Sequence, residues 1–214
     1  LDYQEASDTN STEGKRPNPV FAQMDDGAGI SFTHVENDFN DFDRESLLPH
    51  KLSQNGPALS TGDVNGDGLD DVFIGGAKGQ PAGMFIQNKD GSFNATQKAL
   101  WIHDRNYEDV ASVFFDADAD GDLDLYVVSG GNEMAEGDAY YQDRLYKNEN
   151  HGKFMLFSQG IPGIRVSGSC VVPGDMDNDG DLDLFIGGKL IPGKYPFPAN
   201  SYLLKNESHG GNIK

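Results

Sequence analysis

Apolar residues in this chain fall in short runs punctuated by glycine, asparagine and aspartate, and no long stretch carries a helical period. Three runs share one form, each opening on aspartate and ending on Gly-Gly: DVFIGG from Asp71, DLYVVSGG from Asp124 and DLFIGG from Asp183. An earlier apolar run precedes each of them, PALS at 57–60, VASVFF at 110–115 and GSCVV at 168–172. A later one follows, MFIQN at 84–88, RLYKN at 144–148 and SYLLKN at 201–206, always closing on Asn. DGSFNATQ from Asp90 and HGKFMLFS from His151 add a fourth run to the first two units. Each unit therefore predicts four short strands joined by turns, and the repetition predicts an all-β fold, a β-propeller built of four-stranded blades.

Phasing the ends predicts a partial propeller of about three blades. Phe21 to Ile30 resembles the run that begins at Phe93 or Phe154, and the chain stops at NESHGGNIK, before a fourth strand of the last unit. Residues 1–20 are polar and Pro-punctuated and are expected to form a flexible lead-in to a propeller segment at 21–214. His34 to Pro57 is less regular and is expected to make a long excursion with at most a short helix.

The connection between the first and second runs is acidic in every unit: 63–71, 116–124 and 175–183. Calcium takes six to eight oxygens, so a loop that binds it must turn sharply and aim alternate side chains at one point. Positions 1, 3, 5 and 9 supply such oxygens from Asp63, Asn65, Asp67 and Asp71, from Asp116, Asp118, Asp120 and Asp124, and from Asp175, Asp177, Asp179 and Asp183. Position 7, Leu69, Asp122 or Asp181, is expected to give its backbone carbonyl, which is why leucine is tolerated there. Gly68, Gly121 and Gly180 stand at position 6, where the turn favours positive φ. Three Ca²⁺ sites are expected. An EF-hand would need a bidentate Glu at position 12, where this chain has Ile74, Val127 and Ile186. No His or Cys lies in the loops, which disfavours transition metals, and magnesium would demand a tighter octahedron.

Charge narrows the partners. Asp and Glu number 35 against 16 Lys and Arg, a formal net charge of −19, which repels phosphate backbones and excludes nucleic acid. No apolar run reaches transmembrane length, so membrane insertion by this segment is not expected. The chain starts at Leu1 without a basic-then-apolar leader, as a mature fragment would. The single cysteine, Cys170, rules out an internal disulfide and is expected to be a small buried core residue. Sequons at Asn10, Asn94 and Asn206 are compatible with glycosylation.

The loop pattern D-x-[DN]-x-D-G-x-x-D, followed by an apolar strand and Gly-Gly as in DVNGDGLDDVFIGGA, resembles the FG-GAP or VCBS repeats, the calcium-binding blades of integrin alpha subunits. GISFTHVEND and LLPHKLSQNGPALSTGDVNGDG look most like bacterial surface proteins in which such repeats accompany an ASPIC/UnbV-type domain. The resemblance covers roughly residues 21–206. It implies a ring of seven or eight blades, an extracellular or bacterial outer-membrane-surface location, and no catalysis. The expected function is a non-catalytic scaffold for a protein or glycan ligand, or for neighbouring subunits of a surface complex. The aromatic loops at 101–109, 136–144 and 192–202 are its expected contact surfaces, unless they cover blade edges. The alternative is a polysaccharide-acting enzyme using Trp101, His103 and Arg105 on a sugar.

Overall fold

The structure, a computed structural model, describes residues 28–149 and 151–208. The expected lead-in at 1–20, most of the run from Phe21 and the end of the chain lie outside these residues.

Eleven strands form three antiparallel sheets, each a simple meander in chain order. The first blade holds β1 (Leu59–Gly62), β2 (Asp71–Ile74), β3 (Gly83–Gln87) and β4 (Phe93–Thr96). The second holds β5 (Asp109–Phe115), β6 (Asp124–Ser129), β7 (Arg144–Asn148) and β8 (Phe154–Leu156). The third holds β9 (Ser167–Gly174), β10 (Asp183–Leu190) and β11 (Tyr202–Leu204). The first strand of the middle blade, β5, packs against both β1 and β9, so the three opening strands stand side by side as in a propeller. The fold is a partial β-propeller, and its described helical elements include α1 (Asp41–Arg44), α2 (Lys98–His103) and a short 3₁₀ turn at Ala139–Tyr141.

The alternation of side chains along the second strands explains the stacking. In β6, Leu125 and Val127 point to the first blade and meet Val64, Phe73 and Met84. Tyr126 and Val128 point the other way and meet Leu184 and Ile186 of β10. All six β6 residues are buried, which is why that strand reads as a continuous apolar run rather than an alternating one.

Equivalent positions differ sharply in the third blade. Phe73 opposes Met84, Tyr126 opposes Leu145, and Phe185 opposes Leu203 and Val172. Phe73 and Tyr126 are 1% and 2% exposed, whereas Phe185 is 40% exposed and Leu203 58%. Cys170 shares this face two residues from Val172 and is exposed, contrary to the expectation of a core residue. Its apolar neighbours misled, because no further sheet among the described residues covers that side.

The excursion at 34–57 is tied down by a buried carboxylate. Asp41 accepts hydrogen bonds from Leu52 N, Ser53 N, Ser53 Oγ and Asn132 Nδ2 at 2.5–3.2 Å. Arg44 reaches Met134 O at 2.8 Å and Asn132 O at 3.1 Å. The segment is thus fixed to the β6–β7 connection, on the side of the sheets away from the acidic loops.

Candidate metal centre

Each acidic loop joins the first strand of its blade to the second, so both ends are held by a sheet. Turning within so few residues forces two left-handed residues per loop. Position 6 is glycine at φ 86°, 94° and 99° in Gly68, Gly121 and Gly180. Position 4 is left-handed as well, in Gly66, Ala119 and Asn178, which spacing alone did not reveal.

The first aspartate organises each turn. Asp63 Oδ1 accepts from Gly66 N at 2.7 Å and Asp67 N at 3.1 Å, and Oδ2 accepts from Gly68 N at 2.8 Å. Asp116 accepts from Asp120 N and Gly121 N, and Asp175 from Gly180 N. At Asp63 a small burial cost is outweighed by these amide donors, which hold its carboxyl below the usual range.

The last aspartate is buried and joins three pieces of backbone. Asp71, Asp124 and Asp183 accept from the position-2 amides of Val64, Ala117 and Met176. Their other oxygens accept from the third-strand or adjoining amides of Gln87, Asn148 and Asn206 at 2.7–2.8 Å. Burial pushes the Asp124 carboxyl up to about 7 and raises that of Asp71 too.

The donor set fits a hard cation. Asp116, Asp118 and Asp120 bring one carboxylate oxygen each within 4.8 Å of one another, and so do Asp175, Asp177 and Asp183. That span suits oxygens on opposite sides of an ion at about 2.4 Å. Asp122 and Asp181 leave a buried carboxylate oxygen without a donor. Burial, then the Asp120 carboxylate, pushes Asp122 up to about 6, so the side chain at position 7 also belongs to the charge cluster. In the first loop Asn65 stands at position 3 and exchanges hydrogen bonds with Asp67 at 2.9 and 3.1 Å.

The FG-GAP-like repeat family matches residues 63–127 and 129–186, which include all three loops. The chain belongs to the FG-GAP-like repeat family. The match names the repeat and nothing of an ASPIC/UnbV companion. No curated protein matches the chain. No helix among the described residues is long and apolar enough to cross a membrane.

The asparagines that close the third strands of these FG-GAP-like repeats are the site residues that sequence reasoning noticed without giving a role. Asn148 Nδ2 donates to Leu123 O in its own loop at 3.2 Å and to Val64 O in the preceding loop at 2.8 Å. Asn206 does the same to Leu182 O at 3.2 Å and Ala117 O at 2.9 Å. An amide so engaged is no glycan acceptor, which removes Asn206 from the sequons. In the first repeat the register places Gln87 at the position of Asn148 and Asn206, and Asn88, one residue later, bonds through its side chain to Ser92 and Asn94 among the described residues.

The expected aromatic contact loops divide. Trp101 lies on α2 and is 2% exposed, edge-on to Phe73 and Tyr146 at 5.4 and 5.2 Å between ring centroids. Its indole N–H donates to Thr96 O at 3.1 Å. Tyr141 is fully buried, whereas Tyr195 and Phe197 of the Pro-rich turn are exposed. Trp101 thus fills the space between the first two blades, whereas Tyr141 exchanges hydrogen bonds with Met134 N and O in the β6–β7 connection. His103 bonds through Nδ1 to Asp104 Oδ1 at 2.7 Å, and Asp104 Oδ2 accepts from Tyr146 OH at 2.7 Å.

Proposed function

We propose that this chain is a calcium-stabilised, non-catalytic β-propeller module of an extracellular or outer-surface protein, and that it serves as a scaffold for a neighbouring subunit. The observation that carries the calcium reading is the set of carboxylates converging in the second and third loops, with the first loop on the same pattern. The metal acts on the scaffold, because the loops sit at strand corners and their last aspartates tie the blade together.

Catalysis by the Trp101 region is disfavoured by burial. A ring packed among Phe73, Tyr146 and Phe154 cannot stack on a sugar. The scaffold reading is supported by the uncovered face of the third blade. Its Phe185, Leu203, Val172 and Met176 occupy the positions that the next sheet covers in the first two blades. The partner that fits is another four-stranded sheet with an aliphatic row like Leu184, Ile186 and Leu204, brought by a neighbouring subunit.

Thermal unfolding with excess calcium and with chelator tests the metal. At calcium about five times Kd, each site adds about 1 kcal/mol, and three sites raise the midpoint by roughly 6–12 °C. Equal midpoints would sink the calcium reading. Cys170, on the uncovered face, reports on the partner: a maleimide labels it quickly in the isolated chain and slowly in the assembly. Undiminished labelling in the assembly would remove the docking face. Bond cleavage abolished by His103→Ala would overturn the non-catalytic assignment.

A further inference from the structure

Two of the three loops carry a built-in counter-cation. Lys147, near the end of β7, places Nζ 2.5 Å from Asp118 Oδ2 and 3.9 Å from Asp120 Oδ2. Lys205, just after β11, places Nζ 2.7 Å from Asp177 Oδ2 and 3.6 Å from Asp179 Oδ2. Asp118 and Asp177 both stand at position 3 of their loops. The strand position equivalent to the two lysines in the first blade, by pairing register, is Ile86, which has no charge, and position 3 of the first loop is Asn65. Acid and base therefore change together across the repeats, Asp with Lys in two copies and Asn with Ile in one.

This covariation equalises charge. The first loop holds four carboxylates, Asp63, Asp67, Asp70 and Asp71. The second and third hold five each, and in both one lysine ammonium sits on the position-3 aspartate. A carboxylate has two oxygens, so an ammonium on one leaves the other for a cation.

We propose that Lys147 and Lys205 are charge-balancing and positioning residues of the calcium loops, each holding one oxygen of the position-3 aspartate and lowering its loop's affinity for calcium towards that of the first loop. The inference rests on the calcium reading of those loops. Each lysine has two opposed effects. It repels the incoming divalent ion, and it steadies the loop's crowded carboxylates when calcium is scarce. The two lysines are not equal. Lys147 is 17% exposed against an Asp118 side chain that is wholly buried, whereas Lys205 is 52% exposed and its pair is screened by water.

Calcium titration of the whole chain by calorimetry, with thermal midpoints in chelator, tests this. Lys147→Gln is expected to tighten one site roughly tenfold and to lower the midpoint in chelator, and Lys205→Gln to act in the same sense by about twofold. Lys147→Arg keeps the charge and should leave the affinity unchanged. In the first loop, Asn65→Asp should tighten calcium binding, and adding Ile86→Lys should return it towards the wild-type value. Wild-type affinities in Lys147→Gln, together with no effect of Ile86→Lys on the Asn65→Asp chain, would overturn the proposal while leaving calcium binding intact. A wild-type chain that takes up no calcium would overturn the calcium reading and this inference with it.

Discussion

Glu108, just before β5, lies 1% exposed with one oxygen accepting from Lys78 N at 2.7 Å and the other without a donor. Burial first, then the carboxylates of Glu36, Glu133 and Asp109, push its carboxyl up to about 9 from an ordinary 4.5. The folded chain thus keeps a proton on Glu108 at neutral pH that the unfolded chain has lost. A raised carboxylate pKa means that folding stability falls as pH rises between the two values, by at most about 1.4 kcal/mol per pH unit. Glu108→Gln keeps the shape and the neutral form and removes the titration. Its stability relative to wild type should therefore grow by roughly 2–3 kcal/mol between about pH 5.5 and pH 7.5. Urea unfolding at intervals across that range measures it, with calcium kept saturating so that the loop carboxylates stay ionised in both proteins. Parallel stability profiles would refute the claim that Glu108 is buried as the acid.

Trp101→Ala should cost about 3–5 kcal/mol, since it empties the space among Phe73, Tyr146 and Phe154; denaturant midpoints read the loss, and a change under 1 kcal/mol would contradict the packing role. Asn148→Ala removes donors to two loop carbonyls, in its own blade and the preceding one, and should destabilise by about 2–3 kcal/mol. Asn88→Ala, whose bonds are local, should cost about 1 kcal/mol or less in the same assay, so equal losses would deny the bridging role.

The blades were legible because their signals are local. A strand of period two, an acidic turn and a closing Gly-Gly each sit within a few residues, and repetition told strand runs from chance. What failed to show were pairings distant along the chain. Asp41 looks like any surface acid until Leu52, Ser53 and Asn132 arrive around it. Trp101 sits in a polar stretch, WIHDRNYED, and only the meeting of two sheets shows it to be core. Cys170 erred in the other direction: its apolar neighbours predict burial, but the sheet that would bury it is not among the described residues. The expected ligand positions of the loops rest on spacing alone, whereas the lysines and asparagines beside them come from strands some twenty to thirty residues later, a distance at which no turn rule reaches.

The same bonds indicate where a bound cation would be felt. A loop that is held in its turned form fixes the carbonyl at position 2, and that carbonyl is what the asparagine of the following blade uses: Val64 O for Asn148, Ala117 O for Asn206. The amide of that asparagine in turn donates to the last aspartate of its own loop, Asp124 or Asp183. The path therefore runs from one loop, across the blade interface, to the next loop. In a linear repeat, where stability is a sum of unit and neighbour terms, such a bond turns a local ligand effect into a neighbour term. A cation in the first loop would then support the contact between the first and second blades, and one in the second loop the contact between the second and third. The third loop has a position-2 residue, Met176, that is half exposed like the face beside it. A metal there would gain a second role only when another sheet arrives with an asparagine of its own, so metal binding at the third loop and docking on the uncovered face should strengthen each other.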